Sequence, residues 1–224
     1  MKKVLLILFG FTISVVEAQA GSENVSYSTE NIFMRANRPT TKEYVIDGSP
    51  YTTGDKFSKV IIKGFSKDVQ DLRYNAYEDE MEFKKGEELF YANKADNVKI
   101  QFPELNKTYE SLTYTYDGKT KSGYLVLLVD NPKFSLYKRE KMELLKGEKS
   151  TNSFTKDAND YYAKEKDIYL ISRDKKFSKF PKNISEAAEL FSIDKKELES
   201  FLKSNKINFN REPDMIKLVE FINK

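Results

Sequence analysis

The stretch YESLTYTYDGKTKSGYLVLLVDN, residues 109–131, sets the fold class. Tyr109 to Tyr116 is a run of tyrosines and threonines, and Ser122 to Val129 is rich in leucine and valine. Asp117-Gly118 opens a loop between them. Two runs of strand-favouring residues around a turn signal predict an antiparallel hairpin.

Working outward, the same signature recurs. Upstream lie YVI (44–46), KFSKVIIKGF (56–65), LRYNAY (72–77), EMEFK (80–84), ELFYA (88–92) and NVKIQF (97–102). Downstream lie FSLYKREKMELL (134–145) and DIYLIS (167–172). Gly and Pro signals such as Asp47-Gly48, Lys85-Gly86 and Asn131-Pro132 separate them. The pattern predicts a curved antiparallel meander, a sheet or partly open barrel, of about seven to nine strands. Residues 146–163 are polar and read as a loop.

Beyond about Phe180 the period changes. Ile184, Ala187, Ala188 and Phe191 fall at helical spacing, and so do Met215, Leu218, Val219 and Ile222. Leu198, Phe201 and Leu202 repeat part of the stripe. Asp194 three residues before Glu197 marks a helix start, and Pro213 suits a first turn. The fold class expected is α+β, with a β domain over 44–175 capped by a helical segment over 176–224 that packs on the sheet.

The first twenty residues are not read as fold. Lys2 and Lys3 precede an apolar run from Val4 to Val16, and Ala18-Gln19-Ala20 is the small-x-small pattern cut by a signal peptidase. The run is shorter than the roughly 20 residues a spanning helix needs. Cleavage between Ala20 and Gly21 is expected, giving an exported chain, periplasmic or secreted, with no transmembrane span. Residues 21–43 read as a flexible leader with one short element at Ile32-Phe33-Met34.

Composition narrows the chemistry. The 224 residues contain no cysteine and no histidine, which excludes a disulfide framework, a Ser-His-Asp triad and a His-ligated zinc site. Thirty-eight basic and 35 acidic residues are mixed along the chain, a pattern of solubility rather than of nucleic-acid binding. No phosphate-binding glycine loop or nucleophile elbow occurs, and no cofactor or metal site is expected.

The densest acidic run is YNAYEDEMEF, residues 74–83, with Glu78, Asp79, Glu80 and Glu82. Strand alternation puts Glu78, Glu80 and Glu82 on one face and Met81 and Phe83 on the other. The glutamates are therefore expected in water, with a bulge or turn between Tyr74 and Asp79 bringing Leu72, Tyr74 and Ala76 into phase with Met81 and Phe83. Against that reading stands a ligand site at Asp79 and Glu80, or a carboxylate pair of Asp79 with Glu80 or Glu82. Tyr114 and Tyr116, with Tyr109 and Tyr124, read as cross-strand packing or as an aromatic platform for sugar. Lys175 and Lys176, in RDKKFSKF (173–180), read as a charged loop or a contact to an acidic partner.

Four pieces, GSPY (48–51), LRYNAYEDEMEF (72–83), GYLVLLVDN to LYKRE (123–140) and FLKSNKINFNREPDMIKLVEFINK (201–224), resemble a family of exported proteins of the Bacteroidota. The resemblance implies an envelope setting and an α+β fold, and it supplies no reaction, cofactor or site. The function expected is that of a non-enzymatic envelope or secreted binding or scaffold protein, its partner an envelope protein or a glycan. The alternative is a carboxylate-dependent, glycosidase-like hydrolase, for which two carboxyls about 5 to 9 Å apart would be needed.

Overall fold

Fourteen strands and three α-helices follow one another in the computed structural model, which describes residues 35–36, 45–63, 69–116, 118–151 and 156–224. The expected signal sequence and the expected short element at Ile32-Phe33-Met34 lie outside the described residues. The strands are β1 (Arg35–Ala36), β2 (Ile46–Asp47), β3 (Ile61–Ile62), β4 (Arg73–Asn75), β5 (Glu80–Lys85), β6 (Glu88–Tyr91) and β7 (Val98–Phe102). They continue as β8 (Lys107–Tyr116), β9 (Lys119–Val129), β10 (Ser135–Arg139), β11 (Met142–Leu145), β12 (Asp160–Lys164), β13 (Ile168–Arg173) and β14 (Lys176–Lys179). The helices α1 (Ile184–Phe191), α2 (Lys195–Asn205) and α3 (Glu212–Ile222) end the chain. The fold is α+β, as expected.

The long hairpin of 109–131 is the spine. β8 and β9 pair from Tyr109↔Val126 to Tyr116↔Lys119, and Gly118 takes a φ of 71° that favours glycine in the turn. Around them forms a seven-stranded sheet in the order β14-β13-β10-β9-β8-β7-β3. A second sheet, β1-β6-β5-β4, lies over one part of it. The two share a core in which Tyr74, Met81 and Phe83 of the smaller sheet meet Ile100, Phe102, Tyr109, Tyr124 and Val126 of the larger. A third sheet, β11-β12-β2, contains a parallel pair, Asp160↔Ile46 and Tyr161↔Asp47, in an otherwise antiparallel molecule.

Several boundaries differ from the sequence reading. Within the expected leader, β1 adds to β6 through Arg35↔Tyr91 and Ala36↔Phe90. The polar segment 146–163 is not wholly loop, because Asp160–Lys164 forms β12 against β11. FSLYKREKMELL is two strands in two sheets, broken at Glu140-Lys141. Lys176, expected at the head of the helical segment, begins β14, which pairs with β13 through Arg173↔Lys176.

The helices form where their stripes predict. Asn183 caps α1 by accepting from the Glu186 amide, and Asp194 caps α2 by accepting from the amides of Lys196 and Glu197. Each satisfies backbone donors that the first turn leaves without partners. Their apolar stripes bury Ala187, Phe191, Leu198, Leu202, Met215, Leu218, Val219 and Ile222 together with Leu136 and Ile171 of the large sheet and Phe134 just ahead of β10. A polar seam closes the junction. Lys138 of β10 pairs with Glu212 at 2.9 Å, Tyr169 of β13 donates to the same glutamate at 2.9 Å, and Lys138 also lies 3.2 Å from Glu140.

Candidate functional site

The acidic run does not present all of its glutamates to water. Glu78 is exposed, but Glu80 and Glu82 are buried, Glu82 to 1 % exposure, so the expected solvated face is corrected for both. The Glu80–Phe83 part of β5 is covered on both faces. Met81 and Phe83 enter the core as the alternation predicts, and a turn over Ala76–Asp79, with Asp79 at a φ of 58°, brings Leu72, Tyr74 and Ala76 onto the same side.

Burying these carboxylates requires partners, and each has them. Glu82 accepts from Arg73 at 2.7 Å, Asn75 at 2.8 Å and Tyr51 at 2.9 Å. The Arg73 guanidinium is held between the rings of Tyr51 and Phe57, 4.0 and 4.4 Å from their centroids. Asp79 accepts from the Tyr74 hydroxyl at 2.8 Å and the Tyr124 amide at 3.0 Å. Burial pushes its carboxyl up, against the pull of Lys94 and of these donors. Lys94 bridges Asp79 and Glu80 at 3.4 Å each. Tyr91 donates to Glu78. The run is a set of anchors tying the β4–β5 hairpin to its neighbours. Among the described residues no cluster of three or more acidic side chains is arranged to hold a metal ion.

The tyrosines separate in a similar way. Tyr109, Tyr114 and Tyr124 are buried, so packing accounts for them. Tyr114 lies with Leu112, Leu125, Tyr137 and Leu170 on the face of the large sheet opposite the main core. That sheet curls, so that Phe177 of β14 packs on Tyr114 and Tyr137, with centroids 5.8 and 5.5 Å away, although β14 does not pair with β8. Tyr116 is half-buried at one end of this curled interior.

At the other end a cleft of about 530 Å³ opens. Its apolar surface is Leu112, Tyr137, Phe177 and Pro132, and its polar surface includes Asp96, Asp130, Asn131, Ser135, Ser172 and Lys175. Glu110, on β8, is buried in it and accepts from the Tyr137 hydroxyl at 2.9 Å. Burial and the adjacent Glu110 carboxylate both raise the Tyr137 phenol far above its ordinary value, so it stays protonated and keeps donating. Lys99 and Asp130 pair across the rim at 2.5 Å.

Of the six residues singled out in the sequence, the structure brings Lys175 to the rim of this cleft and Tyr114 beneath it. Lys176 is exposed on β14, and Tyr116 lies at the opposite end of the interior. Asp79 and Glu80 sit at the β4–β5 turn. Sequence reasoning missed Glu110, Tyr137 and Asp130. One signal was present: Glu110 shares its strand parity with Leu112 and Tyr114, and an acid on an apolar strand face calls for a buried partner.

Comparison with known protein families, with curated proteins and with solved structures finds no match to this chain. No helix among the described residues is long and apolar enough to cross a membrane.

Proposed function

We propose that the chain is an exported, non-enzymatic binding protein of the cell envelope or the secreted space, and that it holds a hydroxyl-rich glycan in the cleft beside Lys175. The observation that carries this reading is the make-up of the cleft. An aromatic and aliphatic floor lies beneath short polar side chains that both donate and accept. Sugars offer the matching surface, an apolar ring face edged by hydroxyls, and binding clefts are commonly apolar with a few placed polar groups. The engagement of Asp79, Glu80 and Glu82 by Lys94, Arg73, Asn75 and Tyr51 supports binding over a carboxylate hydrolase, because no two of them are left to act as an acid and nucleophile pair.

Calorimetric titration of the chain with envelope glycans, peptidoglycan fragments and capsular polysaccharide among them, tests the cleft. At least one glycan should bind saturably, and Ser172→Trp, which fills the cleft, should abolish it. Equal binding by that variant, or no binding by any glycan, would refute the reading. Export is tested by N-terminal sequencing of the protein recovered outside the cytoplasm: Gly21 should be the first residue, and an intact Met1 there would reject cleavage at Ala20.

A further inference from the structure

Inside the cleft, Glu110 carries a charge that no cation among the described residues meets. It is 6 % exposed, and its Oε2 accepts from the Tyr137 hydroxyl at 2.9 Å. Among the described residues its Oε1 accepts from no donor, and the carboxylate makes no ion pair. The side-chain polar atoms there that are both sealed from solvent and without a partner are Ser111 Oγ, Arg139 Nε and Asp167 Oδ1. Glu110 Oε1 is not one of them, so it is open, and the space that Glu110 borders is the cleft.

Register puts a cation nearby, because Lys99 is the direct partner of Glu110 across the β7–β8 pair, and such partners share a face. The Lys99 ammonium goes instead to Asp130 on the rim, at 2.5 Å. The other cation lining the cleft is Lys175, and against it stand Asp96 and Asp174. Asp96 accepts from the Thr113 hydroxyl at 3.0 Å, and Asp174 lies 3.9 Å from Arg173 in an exposed pair. Four carboxylates thus line the cleft with two ammonium groups, and the buried one is without a cation. A buried carboxylate with a single neutral donor keeps a desolvation cost that a cation would offset.

We infer that the ligand of this cleft is an amino sugar whose nitrogen is free rather than acetylated, its protonated amine seated on Glu110. This rests on the cleft being a glycan site and narrows the class of glycan it takes. An ammonium supplies charge-assisted hydrogen bonds and the positive charge that a hydroxyl lacks. Leu112 stands two residues along β8 from Glu110, on the same face, and Tyr137 and Phe177 continue the apolar surface. A sugar ring laid on that surface brings a nitrogen borne directly on the ring to the carboxylate. An acetylated nitrogen has no charge to offer it.

The test uses the purified full chain and two matched probes, glucosamine oligomers and their N-acetylated counterparts, titrated by calorimetry in slightly acidic buffer that keeps the amine protonated. The amine form should bind saturably and about tenfold or more tighter than the acetylated form, the margin expected of a charge-assisted contact. Butylamine, a primary ammonium without a ring, should bind far more weakly than the amino sugar. Glu110→Gln keeps the shape and an acceptor oxygen but not the charge, and should abolish the preference for the amine. Since no cation of the described chain pairs with Glu110, that variant should unfold at no lower denaturant concentration than the wild type, which separates a lost preference from a lost fold. Asp130→Asn breaks only an exposed pair, which leaves the fold intact. It releases Lys99 toward Glu110 and should also reduce the preference. Equal affinity for the two oligomers, a preference that survives Glu110→Gln, or butylamine binding as tightly as the amino sugar would overturn the inference. Binding of neutral glycans alone would overturn it and leave the glycan site standing, whereas failure of every glycan would remove both.

Discussion

Protonating Glu140 should loosen the seam between the sheets and the helices. This carboxylate is 4 % exposed and accepts from Lys107 at 2.9 Å, from Thr52 at 2.9 Å and from Tyr109 at 3.0 Å, with Lys138 at 3.2 Å. Burial alone would raise its pKa, but the ammonium groups of Lys107 and Lys138 and the Thr52 hydroxyl outweigh it and hold the carboxyl at about 2, against 4.5 ordinarily. Between these two values the unfolded chain carries a proton that the folded chain does not, so stability rises with pH across that window. At about 1.36 kcal/mol per pH unit the interval amounts to about 3 kcal/mol. This stability is fully present above pH ~4.5 and is lost as pH falls through ~2. Glu140→Gln removes the titration, leaves Lys107 without its carboxylate and leaves Lys138 with Glu212 alone, at a neutral-pH loss of about 3 to 5 kcal/mol. Urea unfolding of both proteins from neutral pH downward reads the difference. The gap should hold constant above pH ~5 and narrow by about 3 kcal/mol on acidification. Parallel curves across the acidic range would show that Glu140 is not held down in the folded state, and the reasoning would fail.

Other outcomes follow from burial. Glu82→Gln should destabilise by about 3 kcal/mol or more because Arg73 loses a buried partner, whereas exposed Glu78→Gln should stay within about 0.5 kcal/mol. Denaturant titration of the two, side by side, checks the order. Met81→Ala and Leu218→Ala should each lose about 2 to 5 kcal/mol, since both side chains are wholly buried and leave cavities. Smaller losses by chemical denaturation would contradict their place in the cores. Truncation before Ile184 should lower the melting temperature and cause aggregation on size exclusion, because it uncovers Phe134, Leu136 and Ile171. An unchanged melt of a monomer would mean that the helices do not stabilise the sheet.

What the sequence made legible was the part carried by local pattern. The 109–131 hairpin announces itself by composition and a turn, and the helices by apolar stripes and the Asp194 cap. The correct phase of Met81 and Phe83 came from alternation alone. What stayed hidden depends on partners distant in the chain. Glu82 looks like a surface residue until Tyr51, 31 positions away, and Arg73 supply its donors. β12 is a short Tyr-Tyr-Ala run closing a polar segment, with no strand alternation to betray it, and its place is set by pairing with β11 and β2. The cleft needs β8, β10 and β14 to be brought together by the curl of the sheet, which no single segment encodes.

β14 has a mechanical role that its four residues do not suggest. Phe177 packs against the interior beside the cleft, and three residues later Phe180 enters the helical core, with its amide bonded to the Tyr169 carbonyl. One short strand is thus a lever with a foot in each compartment. A ligand that holds Phe177 in place must also make the helical layer harder to open, and by thermodynamic reciprocity loosening the helices must weaken the ligand by the same factor. Amide hydrogen exchange along Lys176–Lys179 would read both events in the same few peptide groups.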